Sequence, residues 1–171
     1  TGLTLTSSAI VSCSAVARRL NGHGALAYNT SAFTMAVSGT WTDITWSAES
    51  YDTLGFHDTG SNTNRITIPA GVTRVKLFGN AEFSALNTTG TRGIRFYKNG
   101  TGVAAGTGEV LLPAISTANP FSLYLGTPPL VIAPGDYFTM QYWQNSGLTN
   151  GTLGANALDG SQTYFAVEVV E

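Results

Sequence analysis

The chain has 171 residues, of which 43% are hydrophobic, 11% aromatic and only 11% charged, against roughly 25% charged in an average soluble domain. Eight Lys and Arg against ten Asp and Glu give a net charge of −2, too few clustered cations to neutralise many phosphates, so nucleic acid is excluded as a partner. The apolar content excludes a disordered chain, and no apolar run reaches the roughly 18 residues of a membrane helix. Thr, Val, Tyr, Phe and Trp abound while strong helix formers are few, which points to a single all-β domain. Cys13 is the sole cysteine and cannot close an intrachain disulfide, so the fold must stand on packing.

Residues 1–23 differ in pattern from the rest of the chain. Leu3, Thr6, Ile10, Cys13, Ala17 and Leu20 fall on a three-four spacing, while Thr-Leu-Thr-Leu-Thr alternates like a strand. Three heptads with Thr and Cys at the seam are marginal for an isolated coil. The segment therefore reads as a tail ordered on a partner surface, with Leu3, Ile10 and Leu20 as its anchoring residues. Arg18-Arg19 follows the weakly apolar stretch instead of preceding it, which is not the order of a secretory signal.

From residue 24 onward the chain reads as short strands and turns. Ala25 to Val37 contains the first extended segment. Trp41 to Trp46 alternates Trp41, Asp43 and Thr45 against Thr42, Ile44 and Trp46. Arg65-Ile66-Thr67-Ile68 alternates and stops at Pro69-Ala70-Gly71. Val72 to Ala85 is the longest strand, with Val75, Leu77, Gly79, Ala81 and Phe83 on one face. Arg92 to Lys98 follows, its core face carrying Ile94 and Phe96, and Asn99-Gly100 supplies the pair of positive φ angles that a tight hairpin turn demands.

Phe121 to Ile132 is extended but interrupted by Pro128-Pro129. Pro134-Gly135-Asp136 then turns into Tyr137 to Gln144, where Phe138, Met140 and Tyr142 share a face. Thr152 to Leu158 is a weak strand, and Thr163 to Val170 closes the chain with Phe165, Val167 and Val169 inward. Eight to ten strands at hairpin spacing fit a two-sheet sandwich or jelly roll.

Taken in order, the segments Trp46-Ser47-Ala48-Glu49-Ser50-Tyr51-Asp52-Thr53, Gly55-Phe56-His57-Asp58, Arg65 to Gly71, Phe96 to Gly100, Pro134 to Phe138 and Tyr164 to Val167 resemble the globular head of complement component one-q. That head is one of the tumour-necrosis-factor-like jelly rolls. The series looks most like the bacteriophage branch of the fold, where small virion proteins and fibre tips carry a similar order of motifs. The resemblance covers about residues 25–171. It departs from the animal proteins in lacking a collagen-like stem and in having Ala166-Val167 where a glycine is usual.

The resemblance implies a ten-stranded jelly-roll protomer in a homotrimer, the inner sheets packed around the threefold axis, with residues 1–23 as an anchoring tail and 24–171 as the jelly-roll domain. The residues offer their own support, because three strands carry aromatics on the face that water should cover. Phe78 lies there with Arg74, Lys76 and Glu82; Tyr137, Gln141 and Trp143 lie opposite Phe138, Met140 and Tyr142; Tyr164 and Glu168 lie opposite Phe165 and Val167. The family arrangement is expected to put all three strands in the inner sheet, making these nine residues the trimer interface. Arg74 and Lys76 are expected to pair there with Glu82 or Glu168, fixing register more than adding stability.

Catalytic chemistry finds little support. His57-Asp58 are neighbours in extended chain and do not face each other as a relay requires. No nucleophile elbow, metal-ligand spacing or dense acidic loop is present, so no cofactor, no metal and no enzymatic activity are expected. Trp41, Trp46 and Trp143 could form a sugar-stacking platform, although tryptophan is more often buried.

The function expected is structural: a trimeric protein on a bacteriophage virion, as capsid decoration protein, head fibre or tail-fibre tip, contacting capsid or tail proteins through its N-terminal tail. The alternative is a receptor- or host-glycan-binding module at a fibre tip or in a secreted bacterial protein. Neither reading involves a membrane.

Overall fold

The computed structural model describes residues 22–36, 39–84, 89–104, 108–113, 120–147, 151–155 and 162–170. Among these residues there is no helix, and fourteen strand segments account for the regular structure. In chain order they are β1 (Gly24–Tyr28), β2 (Phe33–Thr34), β3 (Thr42–Asp43), β4 (Ala48–Asp52), β5 (Arg65–Thr67), β6 (Arg74–Ser84) and β7 (Thr91–Lys98). Then come β8 (Gly102–Val103), β9 (Glu109–Pro113), β10 (Phe121–Gly126), β11 (Leu130–Val131), β12 (Tyr137–Gln144), β13 (Thr152–Leu153) and β14 (Tyr164–Val169). The tail residues Leu3, Ile10, Cys13 and Leu20 lie outside the described residues, as do Ala85 and Leu158.

Two antiparallel sheets form a sandwich. In the first, β6 pairs with β14 on one side and β10 on the other, β14 pairs with β1, and β1 with β4. In the second, β12 is central, with β7 on one side and both β3 and β5 on the other.

The alternation along β6 buries Val75, Leu77, Gly79, Ala81 and Phe83 and turns the intervening residues outward. Likewise Phe138, Met140 and Tyr142 of the second sheet face Phe165, Val167 and Val169 of the first across a closed core. Phe165 stacks on Phe96 at 5.2 Å and so joins the two sheets. Gly79 sits where a Cβ would lie 2.7 Å from Met140 Sδ and 3.0 Å from Phe96. A glycine there lets the sheets approach.

The turns follow local chemistry. Asn99 and Gly100 take φ of 52° and 65°, and the Thr101 amide donates to the Lys98 carbonyl at 3.0 Å, a turn of the hairpin-closing kind. Pro134-Gly135 makes the turn from Ala133 to Asp136, with Gly135 at φ 85°.

One expectation is corrected. Strand β12 belongs to the second sheet, not to the sheet of β6 and β14. Tyr137, Gln141 and Trp143 therefore lie on the opposite outer face of the sandwich from Phe78 and Tyr164. Alternation reveals which residues share a face but not which strand is the neighbour, and β12 reaches β7 through pairing that is distant in sequence.

Candidate functional site

The two outer faces have different constitutions. On the second sheet, polar and aromatic side chains interlock in cross-strand rows. Thr139 of β12 stands between Arg65 of β5 and Tyr97 of β7, and Gln141 stands between Asp43 of β3 and Arg95 of β7. Arg95 Nε donates to Gln141 Oε1 at 2.7 Å, Gln141 Nε2 to Asp43 Oδ1 at 2.8 Å, and Asn64 Nδ2 to Asp43 Oδ2 at 2.7 Å. The Arg95 guanidinium lies over Trp41 at 4.3 Å and over Tyr97 at 4.7 Å, and that of Arg65 over Tyr137 at 4.7 Å. Burial pulls Arg95 below its ordinary pKa, against the raising influence of Glu109, Tyr97 and Asp43. Trp41 also packs on Trp143 at 5.6 Å, over Gly93, whose missing side chain leaves room for the indole and for Leu111.

Between these rows the edge partner of β12 changes from β5 to β3, and a groove of about 330 Å³ opens there. Its walls include Asp43, Asn64, Arg65, Tyr97, Tyr137 and Gln141, with Thr139 on the floor. Thr139 Oγ1 and Arg65 Nε are buried without a hydrogen-bond partner.

The outer face of the first sheet is aromatic and uncharged through its middle. Tyr51, Leu26, Ala166, Phe78 and Gly126 form one row across five strands. Tyr28, Tyr164, Asn80 and Tyr124 form the next. Tyr51 is 47% and Tyr124 57% exposed. Burial raises the Tyr164 phenol above its ordinary pKa, and Tyr124 adds to the shift. Charges return only beyond these rows, where Lys76 opposes Glu168 in register. Arg74 opposes Val131 at the start of β6, and Glu82 lies near its far end. Six residues of strand span about 20 Å, so within one protomer Lys76 cannot reach Glu82.

The loop that looked most like a catalytic pair is a structural knot. His57 is buried, its Nδ1 2.8 Å from Glu49 Oε1 and its Nε2 3.1 Å from the Thr63 carbonyl. Asp58 instead accepts the amides of Gly60 and Ser61, while Asp52 accepts those of Leu54, Gly55 and His57. Among the described residues no three His, Cys, Asp or Glu side chains gather as a metal site would require.

No family model matches the chain, and no curated protein matches it. Among solved structures it is similar to murine APRIL at pH 5.0, with a TM-score of 0.58, 10% identity, and coverage of 86% of this chain and 98% of that one. Murine APRIL at pH 8.0 gives 0.58 with 11% identity over the same shares. At pH 8.5 it gives 0.56 with 12%, covering 86% and 99%. The fold is a tumour-necrosis-factor-like jelly roll. Identity this low speaks to the fold alone.

The jelly roll thus separates the nine residues read as one interface. Phe78, Tyr164, Arg74, Lys76, Glu82 and Glu168 stay on the first sheet, while Tyr137, Gln141 and Trp143 belong to the second. It also divides the tryptophans: Trp46 is in the core, and Trp41 and Trp143 form the outward pair. Asp43, Asn64, Arg65 and Thr139 were not singled out by sequence. The one signal was that Arg65 and Asp43 sit at outward positions of alternating segments, as ordinary solvent-facing residues do.

Proposed function

We propose that the protein is a non-enzymatic structural component of a bacteriophage virion surface. In this reading it is a homotrimer of ten-stranded jelly rolls, serving as capsid decoration protein, head fibre or tail-fibre tip. The observation that carries the assembly is the outer face of the first sheet, where Phe78, Tyr164, Tyr124 and Tyr51 make an apolar surface across five strands with no charge in its middle. A monomer gains nothing by presenting such a surface to water, whereas a second copy covering it removes apolar area from solvent at about 25 cal/mol per Å². The sandwich edge beside β10 adds the exposed Leu111 and Leu112 of β9. A face meeting an unlike edge is a head-to-tail contact, the kind that closes into a ring. The number three and the virion setting rest on the resemblance of the motif series to phage jelly rolls, and residues 1–23 supply the attachment to capsid or tail proteins.

Sedimentation at micromolar concentration tests the assembly: three times the chain mass of 17.9 kDa is expected. Phe78→Glu together with Tyr164→Glu should yield a folded monomer. A wild-type monomer would overturn the reading. Removal of residues 1–23 should leave a trimer that no longer binds particles, and retained binding would reject the tail as the anchor.

A further inference from the structure

We propose that the groove between β3, β5 and β12 is a binding site for a neutral saccharide. It lies within one protomer, on the face opposite the assembly surface, and does not depend on the trimer or on the virion setting.

Hydrogen bonding in the groove is incomplete. Asp43, Asn64, Gln141 and Arg95 satisfy one another in a fixed chain of hydrogen bonds. In the same groove, Thr139 Oγ1 has no partner although Thr139 is only 4% exposed, and Arg65 Nε has none either. A desolvated hydroxyl left unpaired costs about 1–3 kcal/mol. The two atoms are closed off by their neighbours but belong to residues directly opposite each other in register, and a ligand seated in the groove meets both residues.

These groups select a particular kind of partner. The lining holds a carboxylate, three primary amides, a guanidinium, two phenols and a hydroxyl, a set with both donors and acceptors. A sugar hydroxyl is itself donor and acceptor and uses such a mixed set fully. Among the lining residues Arg65 and Asp43 balance in formal charge, and a phosphate would meet the Asp43 carboxylate. An apolar ligand would leave Thr139 Oγ1 and Arg65 Nε unpaired. Tyr97 and Tyr137 also line the groove, each with a guanidinium over one ring face, and add some apolar surface beside the polar groups. A volume of about 330 Å³ lies within the range of about 300–1,000 Å³ found for small-molecule sites.

The neighbouring hollow of about 180 Å³ beside His57 shares Arg65, but its His57 ring is already engaged on both nitrogens. Among the described residues Thr139 Oγ1 is the one buried hydroxyl without a partner, and it lies in the groove on β12.

The test screens the full-length protein on an array of neutral and acidic glycans and then titrates the best neutral mono- or disaccharide, followed by saturation-transfer NMR. Saturable binding with a dissociation constant on the order of 1 mM or tighter is expected. Thr139→Val keeps the shape and removes the hydroxyl, and should weaken binding about 10-fold or more without lowering the melting temperature. Asp43→Asn provides a second variant that leaves an amide in the carboxylate's place and should change the preferred sugar. Phe78→Glu should bind as wild type does, so the groove and the assembly are read separately. Binding of acidic glycans or inorganic phosphate alone, no binding on the array, or full affinity in Thr139→Val would each overturn the proposal.

Discussion

Lys98 Nζ lies 2.7 Å from Asp136 Oδ2 and joins the Asn99-Gly100 turn to the Pro134-Gly135 turn. The Asn99 side chain completes the joint, donating to Asp136 Oδ1 at 2.8 Å and accepting the Tyr137 amide at 2.8 Å. Burial pushes the Asp136 carboxyl upward. The bonds from Lys98, the Ala133 amide and Asn99, with the Lys98 charge, outweigh it and hold the group at about 2. Since the folded value lies below the unfolded one, the stabilisation is full above pH about 4 and is lost as pH falls towards 2. Asp136→Asn should cost about 1–2 kcal/mol at pH 7, after allowance for solvent screening. Thermal melts followed by circular dichroism should show its deficit shrinking between pH 4 and pH 2.

His57 bridges β4 to the loop before β5. The Thr63 carbonyl only accepts, so Nε2 is the nitrogen that donates to it, while Nδ1 meets Glu49. Thr63 O also accepts the Trp46 amide at 2.9 Å, which ties the loop to the core. His57→Leu should destabilise by about 2–3 kcal/mol in urea unfolding, because it strands the Glu49 carboxyl and half of the Thr63 carbonyl's bonding. A double-mutant cycle with Glu49→Gln should give a coupling above about 0.5 kcal/mol.

Gly24 is buried against β14, where a Cβ would collide with the Val167 carbonyl oxygen. Its amide donates to Thr53 Oγ1 at 2.9 Å. Backbone on both sides leaves nothing free to move, so Gly24→Ala should cost ~3 kcal/mol. Hydrogen exchange should show β1 amides opening before those of β6.

Trp46 is fully buried beside Phe165, at 6.2 Å between ring centroids, yet its indole N–H finds no hydrogen-bond partner among the described residues. Trp46→Phe removes that unpaired donor along with some packing, and the two effects oppose each other. Its cost should stay below about 1.5 kcal/mol, while Trp46→Ala should cost about 3–5 kcal/mol. Equal losses for the two variants in denaturant titration would show that the N–H is bonded after all.

The inward faces were legible because alternation is local. Val75 to Phe83, Phe138 to Tyr142 and Phe165 to Val169 each follow from period two alone. The sheet to which β12 belongs was not legible, because pairing partners are chosen by contacts distant in the chain. Tyr137 and Trp143, read as subunit-contact residues, are half-buried and each has a ring partner within its own protomer, the Arg65 guanidinium and Trp41 respectively. The groove escaped notice for a related reason. Thr139, Arg65 and Asp43 are ordinary outward residues until β12 exchanges one edge partner for another and brings them together.

The back-to-back sheets also impose a vectorial constraint. Because one core serves both, any ring that hides the first sheet turns the second away from its axis on every copy. A weak site on that outer face would then be repeated around the rim at fixed spacing. Occupancy of one repeat raises the local concentration of ligand at the next, so a surface of linked sugars could be held with an avidity that no single groove provides.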